Sequence, residues 1–158
     1  ATYADLAEKY TTDKEYDAGT VLVVSHAEDS EATTSWLSGQ RVLGVVSTAP
    51  AYLMNDKAPG QAVALRGRVP VKVYGPIRKV QPLISNSRGE AIYGDHQNSF
   101  AIALESNQED VSHDSRISLQ PKPPSGGLPQ GDGFLLGDHL RQSNRVRALT
   151  SSQISTRY

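Results

Sequence analysis

The longest regular pattern in the chain runs from Ala62 to Gly75, where Val63, Leu65, Gly67, Val69, Val71, Val73 and Gly75 take every second position. Arg66, Arg68, Lys72 and Tyr74 fall between them. A period of two over this many residues predicts a long strand, or two strands joined by a bend. Gly67 and Pro70 are the expected bend or bulge, since glycine weakens a strand interior and proline has no N–H for the ladder. Shorter β-branched runs at Thr20 to Val24 and Arg41 to Ser47, bounded by Gly19, Gly39 and Pro50, predict two more strands. Pro82 to Ser85 and Glu90 to Tyr93 flank Asn86-Ser87-Arg88-Gly89, which suits a hairpin turn. Ser99 to Glu105 sets Phe100, Ile102 and Leu104 on one face and the small Ala101 and Ala103 on the other.

At the start the period changes. Tyr3, Leu6, Ala7 and Tyr10 stand at i, i+3, i+4 and i+7, which predicts a short helix docked on the β body or on a neighbouring chain. The expected fold is therefore mainly β, a small barrel or sandwich with a short N-terminal helix and an extended, irregular C-terminal arm.

The arm follows from composition. Residues 1–110 carry ten basic and fourteen acidic side chains, whereas residues 111–158 carry six and three, so a body of charge −4 meets a tail of charge +3. The tail contains Pro121-Lys122-Pro123-Pro124-Ser125-Gly126-Gly127 and ends in a Ser- and Arg-rich stretch with few apolar anchors. Such a segment is expected to be a linker and arm that orders against a partner. The division is thus a β-rich body at 1–110 and a Pro/Gly-rich basic arm at 111–158. The whole-chain charge of −1 gives no electropositive field, so nucleic acid is not an expected partner of the body. No apolar run approaches the roughly 18 residues of a spanning helix, so membrane insertion is not expected.

Candidate chemistry is sparse. There is no Cys, which removes disulfides, thiolate metal sites and cysteine nucleophiles. Histidines 26, 96, 113 and 139 lack metal-ligand spacing, and Asp95-His96, His113-Asp114-Ser115 and Asp138-His139 are adjacent in sequence where a triad needs convergence from separate segments. No metal or cofactor is expected. Gly131-Asp132-Gly133 has no preceding strand and no following Lys-Ser/Thr, so it reads as a turn. The acidic residues near the start, Asp5, Glu8, Asp13, Glu15 and Asp17, could supply paired carboxylates for acid–base work, since Asp5 and Glu8 would lie three apart on one helical face. Arg66, Arg68 and Lys72 line the outward face of the long strand, either for an acidic partner or glycan or as charge protecting an edge.

Three segments resemble a known family. They are Tyr3-Ala4-Asp5-Leu6-Ala7-Glu8-Lys9-Tyr10 with Tyr16-Asp17-Ala18-Gly19-Thr20-Val21-Leu22, then Val42-Leu43-Gly44-Val45-Val46-Ser47-Thr48-Ala49-Pro50-Ala51-Tyr52-Leu53-Met54-Asn55 with the run from Val63 to Gly75, and finally Ala101-Ile102-Ala103-Leu104-Glu105. In this order, over residues 3–106, they resemble a module toward the C-terminal end of tailed-bacteriophage tail-fibre and related virion structural proteins. More loosely they are similar to the autoproteolytic intramolecular chaperone domains of phage appendages.

The resemblance implies a structural component of a virion, in the tail fibre or adsorption apparatus, acting in assembly and oligomerisation and in host attachment. Its partners would be copies of itself, as a homotrimer, other virion proteins, and a host surface glycan. It would be made in the host cytoplasm and end up on the virion. The alternatives are an autoproteolytic chaperone, with cleavage carried onto Asp5 and Glu8, and a capsid decoration or head-fibre protein. On the leading reading the chain does no chemistry. The expected interface residues are Tyr3, Leu6 and Tyr10 at the start, Arg66, Arg68 and Lys72 on the long strand, and Arg141, Arg145 and Arg147 in the arm. The chain departs from the module at Val80-Gln81-Pro82, where members place a Gly-Asp turn, so a reshaped loop is expected there.

Overall fold

A computed structural model describes residues 4–107 and 145–150 of the chain. The described residues form one curled, open, mainly antiparallel sheet, a half-barrel of ten strands. In chain order these are β1 (Ala4–Tyr10), β2 (Val21–Val24), β3 (Ala32–Thr34), β4 (Val42–Val46), β5 (Tyr52–Met54), β6 (Gln61–Lys72), β7 (Pro82–Ser85), β8 (Ala91–Tyr93), β9 (Ala101–Ala103) and β10 (Arg145–Thr150). The main path runs β3-β2-β4-β6-β10-β9-β7-β8, and β1 lies between β6 and a parallel β5.

The predicted long strand is β6, and every other part of the sheet is arranged around it. A strand has two ladder edges. β1 occupies one of them from Gln61 to Arg68. β4 takes the other at Val63 and Ala64, and β10 takes it over from Gly67 to Lys72. The handover falls at a bulge, where Leu6 pairs with Arg66 and Ala7 with Ala64, leaving Leu65 without a partner on β1. Gly67, just past it, has φ +114, and a Cβ there would lie 2.2 Å from the Ala4 carbonyl oxygen. The bend expected at Gly67 is therefore present, whereas Pro70 stays inside the ladder, opposite Arg147.

The bulge also inverts the strand's parity. Val69, Val71 and Val73 enter the larger core cluster with even-numbered Ala64, while Val63 turns to a smaller cluster with Tyr16, Leu22, Ala32 and Val46. The larger cluster is built mostly of Val and Ala, filled out by Ile77, Leu83 and Phe100. Beyond Lys72 the sheet curls back on itself. Lys72 N–H donates to the Gly19 carbonyl, Tyr74 N–H to Ala91, Val21 N–H to Gly89 and Gly39 N–H to Ser85, which draws the β8 end of the path toward the starts of β2 and β4. Val73 and Ala91 form a parallel bridge.

Two expectations are corrected. No helix is found among the described residues, and the N-terminal segment is the strand β1. Ladders on both edges, to β6 and to β5, satisfy backbone groups that a helix of two turns would satisfy only at marginal stability, and this tertiary gain overrides the helix propensity of Leu, Ala, Glu and Lys. Arg145–Thr150, placed by composition in an irregular arm, is instead an interior strand of the sheet with Val146, Ala148 and Thr150 buried. The rest of the predicted arm lies outside the described residues.

In β9 the buried face is the small one: Ala101 and Ala103 enter the core and Ile102 is exposed. The hairpin of β7 and β8 forms as expected, with Leu83, Ile84 and Ser85 opposite Tyr93, Ile92 and Ala91.

The loop at Val80-Gln81-Pro82 is a tight turn in which Gln81 N–H donates to the Arg78 carbonyl at 3.1 Å. Val80 is the third residue of that turn and has φ +79. A positive φ at this position is the signature of type II geometry, and a β-branched residue adopts it at a cost. Val80 is also exposed, so its side chain offsets little of that strain. Val80→Gly is expected to raise stability by about 0.5–1 kcal/mol, since strain of roughly 1–2 kcal/mol is relieved against a smaller loss of chain entropy. A higher urea midpoint with an unchanged slope checks this.

Candidate interaction surface

The outward residues of β6 and β10 bring together two groups that are far apart in sequence. On β6 these are Arg66, Arg68 and Lys72, with Arg66 and Arg68 exposed. On β10, Arg145 stands opposite Lys72, Arg147 opposite Pro70, and Leu149 opposite Arg68. Leu149 in turn faces Ile102 on β9, and both are exposed. The result is one basic face with an apolar ridge across its Arg68 end. Five of the nine expected interface residues lie on this face, and Leu6 borders it opposite Arg66. Tyr3 and Arg141 lie outside the described residues.

Two ion pairs tie the face to the rest of the sheet. Lys72 Nζ meets Asp17 Oδ2 at 3.2 Å, with the Asp17 carboxylate largely in solvent. Arg147 makes the tighter pair: its backbone N–H donates to Glu105 Oε1 at 3.0 Å and its Nε to Oε2 at 3.0 Å. These bonds and the guanidinium charge hold the Glu105 carboxyl below the usual carboxylate range, against a smaller opposing effect of burial. Each partner is more than a third exposed, so solvent screens the pair to about 0.5–1 kcal/mol. Its larger role is to set register, because a one-residue slip of β10 would reverse the face of every side chain. Among the described residues no carboxylate pairs with Arg66, Arg68 or Arg145.

Asp5 and Glu8 are not brought together. With β1 extended, Asp5 and Ala7 share one face and Leu6, Glu8 and Tyr10 the other. Asp5 is buried opposite Gly67, and its Oδ2 has no hydrogen-bond partner. Glu8 is occupied elsewhere, accepting from the Tyr10 hydroxyl at 2.8 Å and from Asn55 Nδ2 at 2.6 Å. Burial first, and then the hydrogen bond and charge of Glu8 with the charge of Glu31, push the Tyr10 hydroxyl up to about 12. Glu8 and Tyr10 line an open cleft of about 420 Å³ together with Glu28, Asp29, Glu31 and Asn55.

The other sequence candidates do not assemble into chemistry. His26 packs against Trp36 at 4.7 Å between ring centres, and both Asp95 oxygens accept from Asn98. His113, His139 and the Gly131-Asp132-Gly133 turn lie outside the described residues. Among the described residues no group of three or more His, Asp or Glu side chains is placed to hold a metal ion, and no helix is long and apolar enough to cross a membrane.

Sequence reasoning had the basic stripe but missed Glu105, Ile102 and Leu149, and it read Arg145 and Arg147 as arm residues. The available signal was the alternation within Arg145-Val146-Arg147-Ala148, four residues of period two, broken at Leu149, in a Ser- and Arg-rich setting. Comparisons of the chain with models of protein families, with curated proteins and with solved structures found no match.

Proposed function

We propose that the chain is a structural β module of a bacteriophage virion, in a tail fibre or adsorption apparatus, that acts through assembly with copies of itself as a homotrimer and with other virion proteins. The observation that carries the reading is the outer face of β6, β10 and β9. There Arg66, Arg68 and Arg145, which no carboxylate among the described residues pairs, share one face with the exposed Ile102 and Leu149 at its Arg68 end, a mixture of cations and apolar side chains suited to a protein partner. The ordered motifs between residues 3 and 106 supply the virion setting. An acidic host glycan is a second ligand class for the same arginines.

Light scattering on the purified full chain at micromolar concentration is expected to give three chains per particle, and a strict monomer would overturn the assembly reading. Immunogold electron microscopy of phage particles is expected to label the tail fibre or adsorption apparatus. Label on the head would favour a capsid decoration or head-fibre protein.

One observation supports the autoproteolytic chaperone as a second reading: Asp5 is a buried carboxylate with an oxygen that no donor satisfies, which is costly unless it is used. Expression behind the native upstream residues tests it. Cleavage in the parent that is lost in Asp5→Ala would promote this reading, and an uncut parent would remove it.

A further inference from the structure

We infer that the slot between β6 and β9 is a strand-acceptor site, and that in the assembled oligomer it receives β10 from a second copy of the chain. The inference rests on the oligomerisation proposed above and names the element that would carry it.

The slot is specific for this segment. With β10 removed, β6 from Gly67 to Lys72 and β9 from Ala101 to Ala103 would each present an open ladder edge, and the core would lose Val146 and Ala148. The inward positions take Val, Ala and Thr, with the Thr150 hydroxyl donating to the Gly67 carbonyl at 3.2 Å. Glu105 reads the Arg at the third position of the strand. A small-residue strand with a basic outward position is therefore the occupant the site fits, which is β-strand addition to a sheet edge.

Connectivity does not require the occupant to come from the same chain. A tight antiparallel return from β9 needs two to five residues, yet residues 108–144 intervene between Asn107 and Arg145. Covalent geometry lets a span of that size reach up to about 120 Å. Two touching modules of about 110 residues have centres roughly 35 Å apart. Exchange leaves every strand contact unchanged, so it adds an inter-subunit link at little cost in the fold itself.

Charge permits the second copy, since the acidic body, at −4, attracts the +3 segment of a neighbour as it does its own. The apolar side chains favour it. Ile102 and Leu149 are exposed along the slot itself, where the copy that delivers the strand would cover them.

The chain has no Cys, which makes a direct test clean. Ile102 and Leu149 are opposed, and directly opposed antiparallel residues lie about 4.5–5.5 Å apart at Cα, within the range a disulfide spans. Both are exposed, so the full-length variant I102C/L149C is expected to fold. After mild oxidation, denaturing non-reducing gels are expected to show species of two or three chains that reduction returns to one. Peptide mapping should find the 102–149 linkage, and I102C and L149C alone should give no such species.

If the parent is oligomeric but the variant forms only an internal 102–149 disulfide, exchange is overturned and the oligomer stands. If the parent is a monomer, both fail. If both thiols stay free, the pairing of β9 with β10 is wrong and the proposal falls with it.

Discussion

Val146→Asp is expected to abolish the module's cooperative unfolding or to lower its midpoint by more than about 12 °C. Val146 lies opposite Val71 and is 1% exposed, in the larger core cluster. Among the described residues no cation is buried in that cluster to meet a carboxylate, and Arg145 and Arg147 point to the other face of β10. An uncompensated buried charge costs about 3–5 kcal/mol. A domain of this size holds only about 5–15 kcal/mol in total, and each kcal/mol moves the midpoint by about 4–8 °C. Arg145→Ala removes a neighbouring exposed side chain and should change stability by less than about 0.5 kcal/mol. Circular dichroism melts of the two variants decide the matter. Equal melts would mean that β10 is an appendage and not a middle strand between β6 and β9.

Gly67→Ala is the second large effect, and it acts on the opposite edge of β6. A Cβ at Gly67 would sit 2.2 Å from the Ala4 carbonyl oxygen and 2.9 Å from Asp5 Cα, so β1 would have to move away. The backbone itself, at φ +114, is in a region that L-residues rarely adopt, a further cost on the order of 1–3 kcal/mol. Together these predict a loss of about 3–4 kcal/mol. Gly75→Ala separates the two causes. It has φ +77 but nothing within 4 Å of the added carbon, so only the conformational part applies, about 1–2 kcal/mol. Urea denaturation of both variants should show the larger drop at Gly67. Equal drops would mean that the close approach of β1 contributes nothing.

These two positions also mark how far the sequence could be read. Alternation revealed β6, because a period of two sustained over a dozen residues fits an extended strand and not a helix. The Gly67 bend was legible because glycine and a bend share one physical cause. The inversion of parity at Leu65 was not legible, since a bulge changes pairing without changing the pattern of residue types. β1 was misread because its spacing fits a helix locally, and only β5 and β6, contributed by distant residues, make it a strand. The same remoteness hid the interaction surface. The stripe of Arg66, Arg68 and Lys72 could be seen on its own, but nothing local announces that Arg145 and Lys72 stand side by side. Glu105 drew no attention for the same reason, as its partner Arg147 lies across the intervening residues 108–144.

The place of β10 bears on how the protein is made. Synthesis proceeds from the N-terminus, so every other described strand has left the ribosome while the slot between β6 and β9 is still empty. Until Arg145–Thr150 emerges, two strand edges stay open, the condition under which chains pair wrongly with their neighbours. A message truncated anywhere after Asn107 and before Arg145 would yield a product with nine of the ten described strands and the slot unfilled, and such products would fall to proteolysis or aggregation. Among the described strands the last-made one therefore gates the rest: only a chain translated through Thr150 can supply this middle strand.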